Sequence, residues 1–587
     1  MTKKSGLVFF LLQILFIISV SAVHAGGSGS VNAMIYPLDS PLYSDMDALY
    51  AMSGLVRPSD NRPWSDAEAR SILDRVERSS LSGTAAALYD RILATLDEGL
   101  RLKVGSDFQM DAGIEFGLEM YAHTNTEDFV TEDDWVLGYQ DRRSLMRVHF
   151  DFTAWDYFYT TSDIHYKWSR ADYNDTFGNR IDDGQTSKDG YIASYPIDST
   201  AYYVKKSYAF SQPFFTSFFT NTMNFSFIWP KRAVFSLGGQ TWNLSVSRDR
   251  LSLGNARFAN LLVDDHHFSD YARLSVFGNR FKYDWVLVFL NTIVTDNEQT
   301  AAQEGRIFMI HTLQFRILDR ISLTVSENVM YKYNVMEGLY LNPSFIFHNL
   351  NNRSMFNALA YLEVNWAAAR GLEVYAQYAM DQARAPHEGD SQSDSSGFIA
   401  GVQYTCALGN GYLASYAEFT YTTPLLYRRD IVDFVRVNRY WSHSATDGSF
   451  GGGHVPFFDY IGFPYGGDCM LLEMRSTYTS LDNWSAGVYV RAMDHGVMNV
   501  YMSHNTDGYN EGDANYHGST PSGDVISRSL VCGLEFKADL DRILNWPGIT
   551  FSGELDWINR WDYTKETGSY SGHEADLQLT LGMTVSV

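Results

Sequence analysis

From residue 108 onward the chain alternates. Phe108, Met110, Ala112, Ile114, Phe116, Leu118 and Met120 interleave with Gln109, Asp111, Gly113, Glu115, Gly117 and Glu119. A period of two sets one face of a strand apolar and the other polar. The pattern recurs over 372–381, over 530–538, and most cleanly over 575–587, where Ala575, Leu577, Leu579, Leu581, Met583, Val585 and Val587 oppose Asp576, Gln578, Thr580, Gly582, Thr584 and Ser586. Strands of roughly 9–14 residues exceed the ~5–6 of globular sheets and suit a tilted membrane crossing. Backbone in hydrocarbon has to be paired internally, so strands cross a bilayer only as a closed barrel. The expected fold class is an all-β membrane protein: a closed antiparallel transmembrane β-barrel, oily outside, with a wet polar interior.

The connections give a second, independent pattern. Short links near 541–547, 479–482, 408–410, 367–370, 318–319, 278–281 and 239–241 alternate with longer polar segments. Short periplasmic turns and long outer loops are the asymmetry of outer-membrane barrels. Strands near 108–122, 145–157, 158–169 and 221–238 precede this series, which predicts about 18 strands in all, within 16–20. Pro230 cannot donate to a ladder, so the 221–238 strand is open to division into two pieces.

Ahead of the barrel the period is 3.6. Ser44-Asp45-Met46-Asp47 and Ser65-Asp66-Ala67-Glu68 have the form of capping boxes. Ala69, Ile72, Leu73 and Val76 follow at helical spacing, and Leu88, Ile92, Leu93 and Leu96 mark a third helix. Three short amphipathic helices are expected, read as a periplasmic cap; a cell-wall module opens similarly. Lys3 and Lys4, the apolar run from Leu7 to Val20, and Val23-His24-Ala25 have the form of a cleaved secretory signal. The expected division is therefore a signal peptide at 1–25, a helical domain at 26–105 and the barrel at 106–587.

Composition narrows the function classes. The chain of 587 residues carries 45 Lys+Arg against 69 Asp+Glu, a net charge of −24, which argues against a nucleic-acid partner. Three Cys cannot form a disulfide scaffold. Aromatics reach 15%, with 38 Tyr, which excludes a disordered chain.

Several stretches resemble a known family. PLDSPLYSDMDALYAMSGL followed by PWSDAEARSIL is similar to the N-terminal region of Wzi-type capsule-assembly proteins. SVSRDRLSLGNARFANLLVDD, from Ser245 to Asp265, resembles that family's Gly-Arg-rich segment before an Asn-Leu pair. LEVYAQYAMDQ, from Leu372 to Gln382, resembles one of its strands, and EFTYTTPLLY, from Glu418 to Tyr427, resembles its strand-to-loop transition ending in Pro-x-x-Tyr. Ser247, Leu253 and Ala256 depart from the Gly, Trp and Gly usual there, and Val587 replaces a terminal aromatic residue. The resemblance implies an outer-membrane lectin that attaches or assembles capsular or extracellular polysaccharide, with its helices in the periplasm. The alternative is a diffusion porin for small polar solutes, since 18 strands can enclose a channel.

Sugars offer apolar ring faces and hydroxyl edges, which Tyr, Trp, Arg and carboxylates recognise. Candidate polysaccharide contacts are Arg248 and Arg250 in the family-like segment, at least one expected to face the lumen because a charge facing lipid is costly. Arg428, Arg436, Tyr440, Trp441 and Tyr460 are the candidates in the 423–469 loop. Glu373, Tyr375, Gln377, Asp381 and Glu418 are expected as luminal polar residues. Asp264-Asp265-His266-His267 reads as an exposed polar loop rather than a metal cluster, and no hydrolase, zinc-protease or phosphate-loop motif is present. The chain is expected to be a monomer without catalytic residues, metal or cofactor. Its expected partners are surface polysaccharide, outer-membrane lipid and the barrel-assembly machinery.

Overall fold

The computed structural model describes residues 31–587 except 105–106, 130–133, 139–141, 169–189, 195–200, 206–213, 217–224, 291–304, 334–335, 345–354, 383–394, 429–431, 442–453, 499, 501–518, 541–545 and 547. Three helices come first: α1 (Pro41–Ser53), α2 (Asp66–Leu73) and α3 (Gly83–Asp97). Eighteen barrel strands follow: β1 (Phe108–His123), β2 (Met146–Ala154), β3 (Phe158–Trp168), β4 (Ala233–Gly239), β5 (Trp242–Arg250), β6 (Phe268–Phe277), β7 (Phe281–Leu290), β8 (Gly305–Leu318), β9 (Ile321–Tyr333), β10 (Phe356–Ala369), β11 (Leu372–Gln382), β12 (Ser395–Leu408), β13 (Gly411–Thr422), β14 (Cys469–Ser480), β15 (Trp484–His495), β16 (Val525–Asp539), β17 (Ile549–Thr564) and β18 (Ser569–Ser586).

Each strand pairs antiparallel with the next, and β18 returns to β1 with Leu581 opposite Met120, which closes the barrel. The expected segment 221–238 is in two pieces, Phe225–Ile228 and β4, both paired to β3 and separated at Trp229–Pro230. No helix among the described residues is long and apolar enough to cross a membrane. The outward positions are the oily ones: Phe116, Leu118, Phe150, Val246, Trp366, Leu534 and Trp557 are all exposed.

The helices differ from expectation in one place. α1 is capped by Ser40, whose hydroxyl accepts from the Leu42 N–H, with Pro41 at the first position. Ser44 lies inside the helix, and its hydroxyl donates back to the Pro41 carbonyl. Proline at the first turn needs no N–H partner, so the start moves four residues upstream of the expected box. Ser65 does cap α2, accepting from the Glu68 N–H at 3.3 Å. Glu68 itself turns away to Lys282. In α3, Leu88, Ile92 and Leu96 are buried while Leu93 is exposed.

The helices close the short-turn end of the barrel. α1 ends at Gly54, left-handed at φ 72°, where a Cβ would meet Arg370 Cγ at 3.0 Å. Its last carbonyls stay in reach of the barrel: the Ala51 oxygen accepts from the Gly371 N–H, and the Val56 N–H donates to the Asp319 carbonyl. Arg75 and Arg91 donate to the carbonyls of Gly278 and Ser480. Four short turns are thus tied to one helical layer. Its core of Met46, Leu49, Trp64, Ile72 and Leu88 includes Tyr412 from the barrel wall.

Candidate functional site

The interior is occupied. Between α1 and α2 the chain enters the lumen and pairs Asn61 and Arg62 with Leu253 and Ser252 of the loop after β5. Asn61 Nδ2 donates to Asp284 at 2.8 Å and Thr312 at 2.7 Å, both inward residues of the wall. Lys282 Nζ, also inward, donates to the Asn61 carbonyl at 2.8 Å and meets Glu68 at 2.5 Å. Two segments distant in sequence therefore meet in the middle of the barrel, one from each end.

Arg57 is the hinge of this contact. Its guanidinium is 3% exposed and lies 2.6 Å from Asp60, 3.3 Å from Glu373 and 3.9 Å from Asp47. Arg257, from the opposite loop, reaches the same carboxylates: Glu373 at 2.9 Å and Asp47 at 3.4 Å. Glu418 accepts from the Arg257 and Phe258 backbone N–H groups and from the Tyr375 hydroxyl. Buried charges persist only when paired this closely.

Towards the long-loop end the lumen is apolar. Leu251, Leu253, Leu261, Leu262 and Val263 of the inward loop pack on Val286, Val288, Phe308, Ile310 and Met330 of the wall. Leu426, Tyr427, Phe434 and Phe463 cover them from above. Tyr427 Oη donates to the Leu261 carbonyl at 2.5 Å and accepts from the Phe463 N–H at 3.1 Å. The expected wet lumen is thus corrected on this side: inward positions turn from polar to apolar along a single strand, as from Lys282 and Asp284 to Val286 and Val288 on β7. Each such side chain contributes about 1.5–3 kcal/mol when fully buried. The sequence carries a signal for this in WVLVFL (285–290) and IFMI (307–310). There the alternation lapses into continuous apolar runs, the mark of strands covered on both faces.

The five expected luminal residues do point inward, but onto protein. Glu373, Tyr375 and Glu418 belong to the network around Arg57. Gln377 accepts from the Leu261 N–H at 2.9 Å and donates to Asn260 at 2.8 Å. Asp381 is 5% exposed. Sequence reasoning passed over Arg57, Asp60, Asn61 and Arg257; the density of charge in RPSDNRPW between two helices was the available signal.

Arg248 faces outward, so of the two arginines, at least one of which was expected to face the lumen, it is not the luminal one. It shares a face with Leu244 and Val246 and forms a bidentate pair with Asp270 on β6, at 2.8 and 2.9 Å. Neutralisation by Asp270 near the rim relieves the cost of a charge on that face. Arg250 lies 5.6 Å from the Phe268 ring centroid and lines a cavity of about 250 Å³ that also includes the inward residues Arg147, Asp163 and Asp249. Arg428 is buried, donating to Asp433 at 2.9 Å and the Val500 carbonyl at 2.8 Å. Arg436 is buried and donates to Ser269. Tyr460 is buried beside Tyr427, with ring centroids 5.7 Å apart. The side chains of Tyr440 and Trp441 lie outside the described residues, as does most of the 170–220 insert.

The Asp264–His267 segment is tied down rather than an exposed loop. Asp264 accepts from the Asn260 N–H and lies 3.2 Å from His266, and His267 Nε2 lies 3.1 Å from Asp459. Burial, with the nearby His266 and Arg436 charges, lowers the His267 pKa to about 4 although Asp459 opposes it. An unfolded histidine binds its proton near pH 6.5. The packed loop is therefore fully stable above that value and loses on the order of 3 kcal/mol as pH falls from about 6.5 to 4. Protease cleavage within 454–468 should rise over that interval, and a flat profile would exclude the effect.

The described residues contain no group of three or more metal-ligating side chains, and the three cysteines are unpaired. No family model matches the chain, and no curated protein matches it. Likeness to solved structures reaches nearly the whole molecule. The chain is similar in fold to Wzi. That Escherichia coli protein is described as an outer-membrane protein involved in group 1 capsule assembly and a carbohydrate-binding β-barrel. The likeness spans 94% of this chain and 99% of Wzi, with a TM-score of 0.52 and 12% identity. OccK3 (OpdO) of Pseudomonas aeruginosa matches 81% of the chain and 96% of its own length, at a TM-score of 0.37 and 8% identity. The outer-membrane protein OprD of the same organism matches 81% and 94%, at 0.33 and 10%. The Wzi likeness and the closed 18-strand ring give this chain the fold of an outer-membrane β-barrel.

Proposed function

We propose that this protein is a lectin-like outer-membrane barrel that takes part in attaching or assembling capsular or extracellular polysaccharide at the cell surface, with its helices on the periplasmic side. One observation carries the reading: the lumen is crossed by the chain's own segments, which are locked together by buried ion pairs around Arg57. A diffusion pore needs an aqueous path, whereas an anchor for glycan needs a rigid support for its outer loops. The fold likeness to Wzi, a carbohydrate-binding barrel, agrees with this, as do the sequence stretches that resemble its family. In this reading the chain binds and does not catalyse, acts as a monomer without a cofactor, and reaches the membrane through the barrel-assembly machinery.

Two measurements test it together. Detergent-purified protein should be retained on immobilised surface polysaccharide from the source bacterium, and Trp441→Ala should reduce retention several-fold while the barrel stays folded. Planar-bilayer recordings of the intact chain should lack large open steps. Absence of retention combined with large steps would replace the lectin with a porin.

A further inference from the structure

Beside the Arg57 network lies a cavity of about 640 Å³, bounded by the start of α1, by the inward loop at Ser252–Arg257, and by β14, β15 and β16. That volume lies within the ~300–1,000 Å³ of small-ligand sites. The inward side chains of the three strands there are Thr477, Thr479, Ser485, Lys537 and Asp539, and the plug adds Ser40, Ser44 and Ser252. Hydroxyls that both donate and accept therefore line it from both sides.

Its charges are close to balance. Arg57, Arg62, Arg91, Arg257 and Lys537 face Asp39, Asp47, Asp60 and Asp539. The arginines place their terminal nitrogens on carboxylates or carbonyls: Arg62 on Asp47 at 2.8 Å, Arg91 on Asp45 at 2.5 Å, and Arg57 and Arg257 as described above. A multiply charged anion suits this near-neutral lining poorly, and so does an apolar ligand. A hydroxyl-rich one suits it well, since each sugar hydroxyl accepts from an arginine and donates to a carboxylate at once.

We infer that this cavity is a binding site for a short oligosaccharide, occupied from the short-turn side. The inference rests on the polysaccharide reading of the chain and adds to it a second place of contact, at the opposite end of the barrel from the outer loops. It assigns the sugar a specific neighbourhood: hydroxyls of the β14–β16 wall on one side, and the arginine–aspartate pairs of the plug on the other.

Short oligosaccharides released by partial hydrolysis of the source bacterium's surface polysaccharide are the probe, added to the detergent-purified full chain and read by native mass spectrometry. Wild type should bind one fragment in this cavity, beside any that the outer loops hold. Ser485→Trp and, independently, Thr479→Trp put an indole into the cavity without touching the ion pairs. Either variant that keeps the wild-type melting temperature should lose the cavity fragment, its affinity falling about tenfold or more, while retention on the intact polysaccharide through the outer loops persists. Fragment binding unchanged in a folded variant would overturn the site. So would absence of fragment binding by a wild-type protein that the intact polysaccharide still retains, leaving the surface reading in place. Loss of both fragment binding and retention in wild type would remove both readings.

Discussion

Removal of residues 31–65 will turn the protein into an open pore. These residues supply Asn61, Arg57 and Asp60, the groups that bridge the wall at Asp284, Thr312 and Glu373 and meet the inward loop at Leu253. Barrels of 16–18 strands leave an aqueous channel when nothing fills them, so conductance should rise about tenfold or more over the intact chain. The inward loop after β5 stays behind, held by Leu261 and Tyr427. The opening should therefore be partial, and a second change, Leu261→Asp, should enlarge it by placing a charge in the apolar packing. Single-channel recording of the deletion and the double variant checks both steps. A deletion that stays silent would mean that the loops alone seal the lumen.

Arg57→Ala will loosen the plug without dismantling the barrel. The arginine is the cation closest to Asp60, at 2.6 Å, and it shares Glu373 and Asp47 with Arg257. Truncating one partner of a buried pair leaves charge uncompensated, at a cost of about 3–5 kcal/mol. The barrel ladder does not depend on Arg57, so the loss should be confined to the helical layer and its lumen segment. Proteolysis between α1 and α2 should accelerate, and a separate early transition should appear in thermal melts, while the strand signal keeps its midpoint. Arg57→Lys restores the charge but not the three-way geometry, and should fall between the two. A single cooperative transition at the wild-type temperature would mean that the network contributes nothing net.

The two changes also separate the layers of the molecule. Strand pairing is continuous around all eighteen strands, each of them bonded to both its neighbours in the ring. The plug is held by contacts across the lumen, such as Asn365 donating to Asp60 over a separation of 305 positions. The first is resistant to single substitutions; the second depends on a few charged groups and should open locally at lower free energy.

Much of the architecture was legible in the chain because a strand's two faces are written every second residue. The oily outward rows on β1, β11, β16 and β18, the short turns and the eighteen strands follow from that local rule and from the need to pair every backbone group in hydrocarbon. The same rule places Glu373, Tyr375, Gln377, Asp381 and Glu418 inward. It says nothing of what they meet there. Arg248 shows the limit: a charged residue on the apolar row finds its partner in Asp270 on the next strand, which the period along its own strand does not reveal. Whether the interior holds water or protein was decided only by tertiary structure, since Arg57, Arg257 and Glu373 lie far apart in sequence and acquire their meaning by convergence. Periodicity is a property of neighbouring residues, whereas the filling of a lumen is a property of distant ones, so the first could be read along the chain and the second required the folded molecule.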